Sequence, residues 1–91
     1  MSEIAFAARY WDGRVIGVTG TNGKSTLTGL IAKALSFSGH VTLAAGNIGY
    51  PFSEAVLSES NQEGAYAVLE ISSFQAELAD GMELDALLWT N

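Results

Sequence analysis

The 91-residue sequence has no cysteine, one proline, one histidine and only four lysines and arginines. Without cysteine there is no disulfide framework and no thiolate metal site, a composition compatible with the cytosol. Four basic residues against ten acidic ones leave a net charge of −6, which argues against nucleic acid as a partner, because a phosphate backbone needs a basic surface. The chain does not open on a basic stretch followed by an apolar core, so no signal peptide is expected. No apolar run approaches the roughly 18–20 residues that span a bilayer, so no membrane partner is expected. What is present is apolar and weakly charged: 48% hydrophobic residues and 15% charged ones suit a buried parallel sheet rather than a disordered chain. The length suffices for one small domain burying roughly 60–65% of its unfolded surface, and hence of modest stability.

Strand and helix patterns alternate. Ser2 to Trp11 reads as a short helix, with Ile4, Ala7 and Ala8 on one side, closed by a turn at Asp12-Gly13. Arg14 to Thr19 reads as a strand apolar on both faces, hence central. Ser25 to Ser38 is the main helix, with Leu27, Leu30, Ile31, Ala34 and Leu35 as its buried face and Gly39 closing it. His40 to Ala44 is a second strand, with His40 facing solvent, and Ala45 to Tyr50 is a loop. The single proline, Pro51, opens a helix to about Ser58, with Phe52, Ala55 and Val56 inward. Asn61 to Gly64 is a polar turn, Tyr66 to Ile71 a third strand, Ser73 to Gly81 a short helix, and Asp85 to Thr90 a fourth strand. The alternation predicts an α/β fold of the P-loop type: a three-layer sandwich with a parallel sheet, right-handed crossovers and helices on both faces. Ligands of such sheets bind at the carboxyl ends of the strands.

The stretch Gly20-Thr21-Asn22-Gly23-Lys24-Ser25-Thr26 links the first strand to the main helix. Its glycines let several backbone N–H groups point into one concavity, and the helix start adds free N–H groups and the positive end of its dipole. Lys24 would reach terminal phosphates, and the Ser25 hydroxyl stands where a Mg²⁺ ligand is needed. The strict pattern G-x-x-x-x-G-K-[ST] would place a glycine at position 18, which is Val18, so a generic kinase or GTPase loop fits poorly. Two further stretches fall at strand ends. One is Gly46-Asn47-Ile48-Gly49-Tyr50-Pro51, and the other is Leu69-Glu70-Ile71-Ser72-Ser73-Phe74-Gln75. Glu70 ends an apolar strand, where periodicity alone reads equally as a metal-holding carboxylate or as an acid at an exposed strand end. Ser72 also suits a helix N-cap, and Asn47 suits a turn that tolerates a left-handed conformation. The acids Glu54, Glu59, Glu63, Glu77, Asp80, Glu83 and Asp85 read as solvation.

These three stretches together resemble the Mur ligase family. Thr19 to Ser25 resembles its T-G-T-N-G-K-[ST] loop, residues 46–51 its G-N-I-G-x-P segment, and residues 69–75 the L-E-L-S-S-F-Q segment of the branch that adds D-glutamate to UDP-N-acetylmuramoyl-L-alanine. The resemblance implies a cytoplasmic, ATP- and Mg²⁺-dependent amide-bond ligase of peptidoglycan synthesis. It implies ATP binding by residues 20–26, catalytic roles for Lys24 and Glu70, and Mg²⁺ held by Ser25 and Glu70. It also implies substrate contacts by Asn47 (to the acyl substrate or phosphate) and Ser72 (to substrate or metal-bound water). Residues 1–91 would be part of a central ATP-binding domain, inactive alone, with the uridine-binding and C-terminal domains outside it. A non-catalytic nucleotide-binding module is the alternative from another class. A folylpolyglutamate synthetase-like ligase is the alternative among enzymes, and the Ser72-Ser73-Phe74-Gln75 segment argues against it.

Overall fold

The computed structural model describes residues 3–20, 22–46, 51–71 and 83–90. Its elements in chain order are α1 (Glu3–Ala8), β1 (Arg14–Gly20), α2 (Lys24–Phe37), β2 (Thr42–Gly46), α3 (Phe52–Val56), β3 (Tyr66–Glu70) and β4 (Ala86–Thr90). The four strands form one sheet in the order β2-β3-β1-β4, and every pairing is parallel. β1 is therefore central, as its two apolar faces predict. The expected helix from Ser73 to Gly81 lies outside the described residues.

Two layers of side chains flank the sheet. On one face Val15, Ala45, Ala67, Leu69 and Ile71 join α1 and α3 in a core built on Ile4, Trp11 and Phe52. The Trp11 and Phe52 rings meet with centroids 5.6 Å apart. Because side chains alternate along a strand, Val18 and Val68 point to the other face. Both are fully buried yet stand outside that core, and α2, which packs on β1, β2 and β3, covers them. The placement follows from handedness: the chain leaves β1 towards one sheet edge and returns from β2 the other way, so right-handed crossovers put α2 and α3 on opposite faces.

Two sequence expectations shift. The second strand is Thr42–Gly46 rather than His40 to Ala44, because five residues must align with Tyr66–Glu70, from Thr42 opposite Tyr66 to Gly46 opposite Glu70. His40 is left outside the strand, solvent-exposed as expected, with its ring against the edge of Tyr66. The inward face of α2 is also rotated from the expected one. Thr28 is buried and Leu27, Ile31 and Leu35 are half-buried, whereas Leu30 is 60% exposed and Ala34 is exposed. An apolar stripe wider than one contact face cannot all reach a sheet, and the Leu30–Ala34 flank lies off it. The end of α2 is a Schellman turn: the N–H of Gly39 bonds the Ser36 carbonyl and that of His40 the Leu35 carbonyl.

Finally, Asp85, expected to serve solvation, and Asn61, expected in a polar turn, tie the fold together. Asp85 accepts the Val15 N–H through Oδ2 at 2.7 Å while its own N–H donates to the Val15 carbonyl, which sets the register of β4 on β1. Asn61, in the polar turn, donates through Nδ2 to the carbonyls of Tyr10 and Val56 and accepts the Asp12 N–H through Oδ1. One amide thus joins the segment after α1 to the end of α3. Each such bond contributes about 0.5–1.5 kcal/mol net. Asn61→Ala should therefore lower the unfolding free energy by about 1.5–3 kcal/mol in urea titration, whereas Glu63→Ala, at an exposed turn position, should stay within about 0.5 kcal/mol.

Candidate active site

The loop between β1 and α2 ends at the start of the longest helix described. Its last residue, Gly23, is the N-cap of α2 and sits in the left-handed region at φ 76°, ψ 11°. Its carbonyl accepts the Leu27 N–H at 2.9 Å, which starts the helical ladder. The N–H groups of Lys24, Ser25 and Thr26 precede that bond and have no partner one turn back. Proteins usually satisfy such groups with a Ser, Thr, Asp or Asn side chain at the cap, but here a glycine stands there and, among the described residues, no side chain caps the helix. Donors left open at the positive end of a 14-residue helix suit a phosphate. Lys24 is half-buried beside them, and Asn22, Ser25 and Thr26 are exposed.

Strand order places the loop at a particular point of the sheet. The chain leaving β1 heads for the β2 edge, while the chain leaving β3 heads for the β4 edge. Neighbouring strands whose connections part in opposite directions open a cleft at their carboxyl ends, where ligands of such sheets bind. Glu70 ends β3 at this cleft, opposite Val18 of β1 and Gly46 of β2. Alternation puts its carboxylate on the face covered by α2, the helix that begins with Lys24 and Ser25. A Cβ at Gly46 would come within 3.0 Å of the Glu70 Cβ, so a glycine there leaves Glu70 its space.

The structure thus brings Gly20, Asn22, Gly23, Lys24, Ser25, Thr26 and Glu70 to one edge of the sheet. Thr21, Asn47 and Ser72 lie outside the described residues. Among the described residues no three acids or histidines cluster as a metal cage. A Mg²⁺ ion fits this donor set only in its usual way with nucleotides, through one carboxylate, a hydroxyl, phosphate oxygens and water. His40 stands at the opposite end of the sheet, before β2 begins. An apolar groove of about 370 Å³ between α1 and α3, lined by Phe6, Tyr10, Val56 and Leu57 among others, is on the face away from α2 and takes no part in the loop.

Thr90 is a neighbour of the loop that the sequence reading did not single out. It ends β4 opposite Gly20. Its place at the carboxyl end of a predicted strand was visible in the sequence, but its position beside β1 needed the strand order.

A parallel sheet with a glycine loop and a helix start at its cleft defines the P-loop class of α/β domains. The profile of the Mur ligase middle domain matches residues 18–91, and the chain belongs to the Mur ligase family. It is 44% identical over 93 residues to a UDP-N-acetylmuramoylalanine--D-glutamate ligase of Ruegeria pomeroyi, covering 96% of this chain and 19% of that protein. It is 43% identical over 91 residues to the ligase of that name from Leuconostoc citreum, covering 100% of this chain and 20% of that protein. It is likewise 43% identical over 90 residues to that of Clostridium perfringens, covering 99% of this chain and 19% of that protein. The chain therefore spans about a fifth of the length of the curated relatives it matches.

Among the described residues the left-handed Gly23 has nothing within 4 Å of where a Cβ would stand, so against them a substitution meets only backbone strain. Gly23→Ala should cost about 1–2 kcal/mol in denaturant unfolding. Gly23→Asn should cost less, since asparagine tolerates the left-handed region.

Proposed function

We propose that the chain is the phosphate-binding part of an ATP-dependent ligase that adds D-glutamate to UDP-N-acetylmuramoyl-L-alanine in peptidoglycan synthesis. Residues 1–91 would contribute part of a central ATP-binding domain, working in the cytoplasm. The observation that carries this reading is the uncapped start of α2 beside Glu70 at the sheet cleft, on a chain about 44% identical to ligases of that name.

In this reading the loop N–H groups and the Lys24 ammonium hold the β- and γ-phosphates and offset their charge as the phosphoryl group moves. Charge from so few groups matters because the chain as a whole carries −6 and offers only four basic side chains. Ser25 and Glu70 are the residues that would hold Mg²⁺; when bound, the ion neutralises developing charge on the phosphate oxygens. The L-alanyl carboxylate of the muramoyl substrate attacks the γ-phosphorus, and ADP leaves. The D-glutamate amine then attacks the acyl carbon, and inorganic phosphate leaves as the amide forms. The protein's part is placement and charge rather than covalent chemistry. In this reading Asn47 would contact the acyl substrate or phosphate, Ser72 the substrate or metal-bound water, and Thr21 belongs to the ATP-binding stretch of residues 20–26.

Calorimetry with Mg-ATP tests the site. Lys24→Ala should weaken binding by about 10- to 100-fold, the loss of one charge-assisted contact of roughly 1.5–3 kcal/mol. Glu70→Gln should remove the gain in affinity that Mg²⁺ confers while leaving metal-free ATP binding near wild type. Phosphate release is measured in parallel with the muramoyl substrate and D-glutamate. Residues 1–91 should bind without turnover, and D-glutamate-dependent release that Lys24→Ala abolishes would overturn the partial-domain assignment. Unchanged Mg-ATP binding in Lys24→Ala would overturn the site itself.

A further inference from the structure

We propose that Thr90, at the end of β4, is a positioning residue for the phosphate loop, holding its first peptide in place from the side opposite Glu70. The inference rests on the nucleotide reading above for its consequence, but not for its geometry.

Gly20 is the last residue of β1 and the first of the loop, and it pairs with Thr90 across the sheet. The approach is closer than any side chain allows. A Cβ built on Gly20 would overlap the Thr90 carbonyl, hydroxyl and backbone nitrogen, and the Gly20 φ of 135° adds strain for any other residue. Thr90 therefore forms a wall along the point where the loop leaves the sheet. Its hydroxyl also donates to the Thr19 carbonyl at 3.4 Å. That carbonyl belongs to the Thr19–Gly20 peptide, so the bond fixes the plane from which the loop turns. Alternation along β4 sets the Thr90 side chain opposite to that of Trp89. It falls on the face of Gly20 and Glu70, where α2 begins.

The loop start is thus gripped on both sides: β3 bonds β1 up to the Ile71 N–H on the Val18 carbonyl, and β4 continues two residues further, to Gly20. The grip matters because open N–H groups recognise a polyphosphate only if they already converge. At 3.4 Å the Thr90 bond is long for a hydroxyl donor, so it contributes little to global stability. Its effect is local, on the orientation of the loop.

The test compares Thr90→Val, which keeps the β-branched shape and removes the hydroxyl, with Thr90→Ser, which keeps the hydroxyl. Hydrogen exchange over residues 19–27 is measured without nucleotide, alongside the melting temperature and Mg-ATP calorimetry. Thr90→Val should speed exchange in the loop and weaken Mg-ATP binding by about two- to tenfold, with the melting temperature unchanged. Thr90→Ser should restore both readouts. Wild-type loop exchange in Thr90→Val would overturn the proposal. So would a fall in melting temperature that tracks the loss, or a serine variant that restores nothing. If the wild-type chain itself takes no Mg-ATP, the nucleotide reading fails, and the exchange comparison alone still decides the role of Thr90.

Discussion

The parallel pairing of β1 with β3 is the constraint on which the site depends. Arg14 to Val18 lie opposite Tyr66 to Glu70, although the two strands are separated in sequence by α2, β2 and α3. Because the strands are parallel, their carboxyl ends share one edge, so the glycine loop and Glu70 emerge together. Because β2 lies beyond β3, the two connections part and leave a cleft between them. A one-residue slip of β3 would turn Glu70 to the face of α1 and α3 and bring Leu69 or Ile71 to the cleft. The core opposes such a slip: Ala67, Leu69 and Ile71 are all fully buried on one face and Val68 on the other. The apolar packing that stabilises the sheet is therefore what sets Glu70 at the edge it shares with the loop.

Much of this was legible in the residues. The apolar run before Gly20, the helical spacing after Lys24 and the lone Pro51 each mark their element within about two residues, because local rules govern strand and helix starts. The strand order was not legible, since nothing in a parallel strand's own residues names its neighbour. The tasks of Thr90, Asp85 and Asn61 stayed hidden with it: each serves a residue at least 49 positions away, and in a linear reading they are polar residues at a strand end or in a turn. The inward face of α2 was misjudged for a related reason. Periodicity finds an apolar stripe on a helix, but the sheet beneath decides which part of it is covered.

α2 shows how binding and stability pull in different directions. It is the longest helix described, yet Thr28 is its only buried residue. The Thr28 hydroxyl has no hydrogen-bond partner among the described residues, which is a cost in a core position. The helix also gives up a capping side chain at Gly23, which elsewhere contributes about a few tenths of a kcal/mol over glycine. A helix optimised for stability would carry Ser or Asp at that cap. In the proposed nucleotide reading, a side-chain oxygen there would occupy the N–H groups of the first turn and place an acceptor, or a negative charge, where the phosphate would sit.

The acidic surface sharpens this logic. With a net charge of −6, long-range attraction does little to draw a polyanion to this chain, so the proposed recognition of a nucleotide would come at short range, from donors that are already aligned. Backbone N–H groups meet that need because they carry no titrating charge and lose little freedom when a ligand binds, provided the backbone is held. Holding it falls to the glycines and to the strands on either side. Gly23 supplies a conformation that other residues adopt only under strain, and Gly20 permits an approach by Thr90 that no side chain could survive. Glycine in this loop thus does two separate jobs. At Gly23 the requirement is a torsion angle, with no described residue crowding it, and at Gly20 it is the absence of a methyl group.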